Sequence, residues 1–150
     1  MFTTLLNKII SILEANELIQ ETYGYEAEQF SGDPVAVVVP SNNESDYNSN
    51  QENHRIYAYS IKLFVARSSE GVDRKPTDAD RILRNLVDSV LDDFDKDYTF
   101  SGLTVPTAYC MINVFAVPSQ WGYAGGREDE YRVAEVTIKC KVAVDVTNIS

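Results

Sequence analysis

YRVAEVTIKCKVAVDV, residues 131–146, alternates with period two: Ala134, Val136, Ile138, Cys140, Val142, Val144 and Val146 take one side, and Glu135, Thr137, Lys139, Lys141 and Asp145 the other. Successive side chains of a strand point to opposite faces, so the segment is predicted to be a long strand buried on one face and wet on the other. One solvated face is the mark of an antiparallel sheet. Upstream, residues 110–117 are apolar nearly throughout and reach this strand through a glycine-bearing link containing Trp121, Tyr123, Gly125 and Gly126, of hairpin length.

The remaining elements follow the same logic. Tyr57, Tyr59, Ile61, Leu63 and Val65 share one face of a predicted strand, with Ala58, Ser60, Lys62 and Ala66 on the other; Ile56 and Phe64 also fall on that second face. Residues 35–39 are a short β-branched run between Pro34 and Pro40, suited to a buried strand. Residues 18–25 hold β-favouring side chains and read as an edge strand before the turn Ser31-Gly32-Asp33-Pro34. Two segments have helical periodicity. Leu5, Leu6, Ile9, Ile10, Ile12 and Leu13 predict an amphipathic helix over 3–15 that Asn16 stops. Ile82, Leu83, Leu86, Val87, Val90, Leu91 and Phe94 predict a second over 78–95, with Thr77 as its cap and Asp78 and Asp80 near the positive end of its dipole. The expected class is α+β: one domain over 1–150, an antiparallel-rich sheet with two helices packed on one face and a long polar inter-strand loop.

That loop is the tract SNNESDYNSNQENH, residues 41–54, whose only aromatic is Tyr47. Loops longer than roughly 12–15 residues without structure of their own are uncommon in compact domains and usually bind something or stay disordered. So polar a run cannot offset the entropy of ordering itself, and contact with a partner would supply the missing burial.

Composition narrows the function. At 150 residues the chain is long enough for one self-sufficient core. Its formal net charge is -10, with 23 acidic against 13 basic residues, which argues against a nucleic-acid binder that must neutralise phosphates. The N-terminal segment MFTTLLNKIISILEANE is too short to span a bilayer and is interrupted by Asn7 and Lys8, unlike a signal peptide, so no membrane role is expected and synthesis in a cytosol is. There a reducing environment would keep Cys110 and Cys140 as small buried hydrophobes rather than a disulfide.

Catalytic chemistry finds little support. The single histidine, His54, lies at the margin of the polar tract, where a base is hard to position. Zinc is disfavoured because two separated cysteines and one histidine form no ligand pairing. Asp93, Asp95 and Asp97 match the first ligands of a calcium loop, but Tyr98 stands where glycine must turn the chain and Thr104 where a glutamate must close the cage. Neither the glycines before Arg127 nor the segment RIYAYSIKLFV has the spacing of a phosphate loop or an RNA-binding strand. No catalytic residue, cofactor or metal site is assigned. Trp121 and Tyr123 stand apart, as large aromatics in a glycine-rich turn either anchor a partner or fold back over the sheet edge.

Two stretches, DPVAVVVPSNNESDYNSNQENHRIYAYSIKLFVAR and ADRILRNLVDSVLDDFDKDYTFSG, carry a strand, a long loop, an Arg-x-Tyr-x-Tyr strand and the helix that follows. In this order they resemble the tail terminator, or tail completion, proteins of long-tailed bacteriophages, and the resemblance covers nearly the whole chain. It implies a non-enzymatic virion protein of the tail or neck, present in the host cytoplasm during assembly. Such a protein forms a homohexameric ring that caps the tail tube protein and meets a head-side connector protein, while DNA passes without specific binding. The candidate contact loops are then 41–54, 68–76 and 119–130, with Tyr47, His54, Arg55, Arg74, Trp121, Tyr123 and Arg127 as candidate interface side chains. Asp88, Asp92, Asp93, Asp95 and Asp97 are candidate lumen acids that would repel DNA phosphates. Other readings are a head-to-tail joining protein and, from a different class, a small carboxylate-based enzyme or ligand-binding domain marked by an apolar pocket.

Overall fold

The computed structural model describes residues 1–27, 30, 32–47, 52–69, 72–73, 76–124, 131–147 and 149, and for 42–47, 68–69, 72–73, 76 and 124 the backbone. Helix α1 (Phe2–Glu14) leads into a short strand β1 (Glu21–Tyr23). Strands β2 (Val35–Tyr47) and β3 (Glu52–Ala66) follow, then β4 (Ser68–Ser69), β5 (Val72–Asp73), helix α2 (Pro76–Lys96), β6 (Tyr109–Ala124) and β7 (Tyr131–Asp145). The main sheet has the order β1-β2-β3-β7-β6, with β1 parallel to β2 and the other neighbours antiparallel; β4 and β5 pair separately. This is the α+β class expected, with both helices on one face.

Periodicity explains why. On α1, Leu5, Ile9 and Leu13 recur one turn apart and are buried. On α2, Ala79, Leu83, Leu86, Val87, Val90 and Phe94 form the matching stripe. Both seal against Ala36 and Val38 of β2, Tyr57 to Val65 at alternate positions of β3, Val114 of β6, and Ala134 to Val144 at alternate positions of β7. The alternation read in residues 131–146 is thus the core side of a central strand. Tyr59 donates its hydroxyl to the Phe2 carbonyl at 2.7 Å, fastening the start of α1 to the sheet, and burial pushes its phenol well above the ordinary range.

Asn16 stops α1, as expected, but also welds the two helices together. Its Nδ2 donates to Ser89 Oγ at 3.0 Å and to Asp93 Oδ2 at 2.7 Å, while its Oδ1 accepts the Leu18 N–H. After α2 the chain turns through Phe100 (φ 49) and Gly102 (φ 81). A phenylalanine in the left-handed region costs on the order of 1 kcal/mol or more, and full burial of its ring near Phe94 offsets this. Asp97 holds the turn by accepting the Ser101 N–H at 2.8 Å.

The opposite face of the sheet is only partly covered. Phe30 lies across Phe64 and Tyr131 and stacks on Tyr23, with Val35 and Val37 buried on that face. Toward β6, Phe115 and Val117 are half exposed.

Several sequence expectations are corrected here. The polar tract is strand for much of its length, because β2 continues to Tyr47 and β3 begins at Glu52; only residues 48–51 lie between them. Pairing supplies the reason: Asn43 to Tyr47 are opposite Tyr57 to Asn53, so the ladder satisfies backbone groups that the tract's composition could not. Trp121 and Tyr123, predicted to lie in a glycine-rich turn, are likewise in strand, as β6 runs to Ala124; Gly125 and Gly126 lie outside the described residues. Thr77 lies inside α2, which opens with Pro76, a residue whose missing N–H is harmless at a first turn. Cys110 is exposed rather than buried.

Candidate interaction surface

The best-defined surface lies where the outer end of β6 meets the start of β7 and the first turns of α2. Trp121 pairs across the ladder with Ala134, and Tyr123 with Arg132, which puts all four on the helix-bearing side of the sheet. Ala134 is buried, whereas Trp121 keeps 46% and Tyr123 57% of their surface exposed.

Arg132 fixes both rings. Its Nε donates to Asp80 Oδ1 at 2.6 Å and its Nη1 to the Gly122 carbonyl at 2.7 Å, tying α2 to both strands of the hairpin. The guanidinium lies 4.6 Å from the Tyr123 ring centre and 5.9 Å from that of Trp121, and Arg67 approaches Tyr123 from 5.8 Å. Cations over aromatic faces are attracted by the ring quadrupole. The rings therefore stand presented to solvent with their orientation already set, a preorganised arrangement that lowers the cost of binding. Two hollows flank Trp121. One, about 270 Å³, opens on the partly bare sheet face among Lys62, Phe64, Gln120, Val133 and Glu135; the other, about 180 Å³, lies between Asp80, Arg84 and Arg132. Both fall below the roughly 300 Å³ at which small-molecule pockets begin.

The other candidate residues separate into groups. Arg55 reaches Tyr57 and Tyr109 hydroxyls, each at 3.3 Å, and lies over the Tyr109 ring. The bond to Tyr57, on the same strand, is the main cause of its raised pKa, while the bond to Tyr109 braces β3 against β6. His54 Nε2 is 2.6 Å from Glu52 Oε1. Both lie at the opposite end of β3 from Arg67, away from Trp121. Tyr47 ends β2, while Arg74 and Arg127 lie outside the described residues.

The five aspartates do not form one group either. Asp93 is occupied by Asn16, and Asp97 by Ser101 and by Lys8 Nζ at 3.4 Å. Asp88, Asp92 and Asp95 are exposed and, at i, i+4 and i+7, share one stripe of α2. Arg81 and Arg84 continue that stripe toward the helix start. Asp93 and Asp95 sit within regular helix, which no calcium loop would allow. Among the described residues, no group of three His, Cys, Asp or Glu is placed to hold a metal ion, and no helix is long and apolar enough to cross a membrane.

Arg132 and Asp80 escaped the sequence reading as site residues. A signal was present: Arg132 has the parity of the buried positions of β7, and a charge on an apolar face calls for a partner. Nothing local named Asp80 as that partner, 52 residues away.

No protein-family model matches the chain, and neither does any curated protein sequence. Among solved structures, a chain from the virion of a native gene transfer agent particle is similar over 93% of this chain and 94% of that one, with a TM-score of 0.61 and 8% sequence identity. At that identity the likeness is one of fold.

Proposed function

We propose that this chain is a structural protein of a phage-like virion, acting through protein contacts as a ring that caps a tail tube and meets the head-side connector. The observation that carries the reading is the end-to-end fold likeness to a chain of a gene transfer agent virion. The resemblance of residues 33–67 and 79–102 to tail terminator proteins points the same way, independently of that superposition. Surface chemistry is compatible: two half-exposed aromatics, held rigid by Arg132, are the type of side chain that anchors protein interfaces. A ring requires heterologous contacts that close on themselves, and an edge carrying such anchors gives one half of a contact.

Of the five acids assigned to a lumen, only Asp88, Asp92 and Asp95 are exposed enough to face either DNA or a neighbour. The test of the ring itself is the mass of the purified chain by light scattering with negative-stain imaging, alone and with tail tubes. Rings that bind tube ends are expected. Particles assembled without the protein that keep normal tail length and still join heads would refute the proposal, and binding to the connector but not to tubes would favour a head-to-tail joining protein.

A further inference from the structure

Resting on that ring reading, we propose that copies of the chain meet head to tail along α2, with Arg81 and Arg84 beside the Trp121 and Tyr123 platform of one copy set against Asp92 and Asp95 of the next. Beyond the first turn, where Asp78 pairs with Arg81, the charges on the exposed stripe of α2 are sorted rather than mixed. Its N-terminal half presents Arg81 and Arg84, and its C-terminal half Asp88, Asp92 and Asp95, with Lys96 the one base at that end. The helix dipole accounts only for the ends, Asp78 in the first turn and Lys96 in the last, and not for the charges sorted between them.

Of the three acids, only Asp88, one turn from Arg84, comes near the basic half inside the chain. At 1.5 Å per residue, Arg84 and Asp95 are roughly 17 Å apart along the axis, beyond the ~8–10 Å over which exposed charges interact at ordinary salt. Among the described residues Arg81 pairs only with Asp78, at 3.6 Å with both side chains well exposed, and no ion pair involves Arg84, Asp92 or Asp95. A second copy placed head to tail satisfies everything at once. Its acidic helix end meets the basic end of its neighbour, and the two macrodipoles line up positive to negative. With α2 lying along the circumference, repetition of this contact closes a ring. The aromatic pair adds an anchor at the basic pole, where Arg84 and Trp121 line the same hollow. The sheet edge beside it is poorly suited to strand-to-strand joining, since β6 carries Pro118 and two register shifts.

The experiment measures the mass of the full-length chain by light scattering at ~50 mM and ~500 mM salt, the screening lengths of which differ about threefold. Wild-type rings should weaken at the higher salt. The variants Arg81→Glu with Arg84→Glu, and Asp92→Lys with Asp95→Lys, should each lower association by about 100-fold or more, because like charges then face one another. Mixed in equal amounts, the two variants should assemble again, as each supplies the pole the other lacks; this recovery also shows that both are folded. If each variant alone assembles as the wild type does, the ring stands and this contact is overturned. A stable dimer would overturn the head-to-tail arrangement in favour of an antiparallel pair of stripes. Changing Asp88, Asp92 and Asp95 to asparagine with unchanged mass and increased DNA retention would assign them to a lumen and overturn the contact. A wild-type chain that stays monomeric at both salts, with and without tail tubes, would overturn the ring reading and the contact with it.

Discussion

Along β7, neighbouring residues occupy two environments. Ala134, Val136, Ile138, Cys140, Val142 and Val144 are sealed beneath α1 and α2, whereas Glu135, Thr137, Lys139 and Lys141 front the face on which Phe30 crosses Phe64 and Tyr131. One backbone thus carries both a sealed face and a more open one, and what distinguishes them is which side the helices cover. The same contrast holds between aromatics: Phe94 is wholly buried, while Trp121 is pinned but half exposed.

The largest expected effect breaks or upholds that contrast directly. Phe94→Ala should cost about 3–5 kcal/mol in urea unfolding, the usual loss when a buried ring leaves a cavity. Trp121→Ala should cost about 1 kcal/mol or less while weakening assembly measured by mass, since its exposed half contributes nothing to the monomer's core. Equal losses of stability from the two would show that the β6 end belongs to the core.

Next in size is Asn16→Ala, which removes the link from α1 to Ser89 and Asp93 and leaves the Leu18 N–H without its acceptor. A loss of about 1–3 kcal/mol is expected by thermal or urea unfolding.

The two thiols sharpen the comparison chemically. Cys110 is exposed on the bare face and should react with a thiol reagent in the native protein; Cys140, buried under the helices, should react only on unfolding. Burial pushes the Cys140 thiol up to about 12, above its value of about 8.5 in an unfolded chain. An acid whose pKa is raised by folding binds its proton more tightly in the native state. Its contribution to stability is therefore complete below the unfolded value and lost as pH rises from there toward 12. Buried Tyr59 acts in the same direction. Unfolding midpoints should fall through this alkaline range, and less steeply in Cys140→Ala.

The smallest effect concerns α2. Asp92→Lys with Asp95→Lys places bases where the helix dipole favours them, and the monomer's melting midpoint should rise by ~1–3 °C. A fall would mean that these acids already have partners within the chain.

Periodicity was legible wherever one face of an element is buried: α1, α2, β3 and β7 stand where their apolar spacing placed them, within a few residues. It failed where pairing, not burial, makes the strand. Residues 43–47 carry no apolar alternation and extend because β3 lies beside them. Likewise Trp121 and Tyr123 were legible as unusual aromatics, but not as a rigid pair, because the arginine that orients them is anchored through a helix distant in sequence.

The sequence by itself determined the class of fold and the core, since hydrophobic spacing is a local property that states which side of a helix or strand must leave water. Which charged residues remain free was decided only in three dimensions. Asp93 and Asp95 are near-identical neighbours in the chain, yet one is bound by Asn16 across the helix pair and the other faces solvent. Hydrogen bonds over long separations exist only once the chain has closed, so the division of charges between internal ties and outward contacts belongs to the tertiary structure.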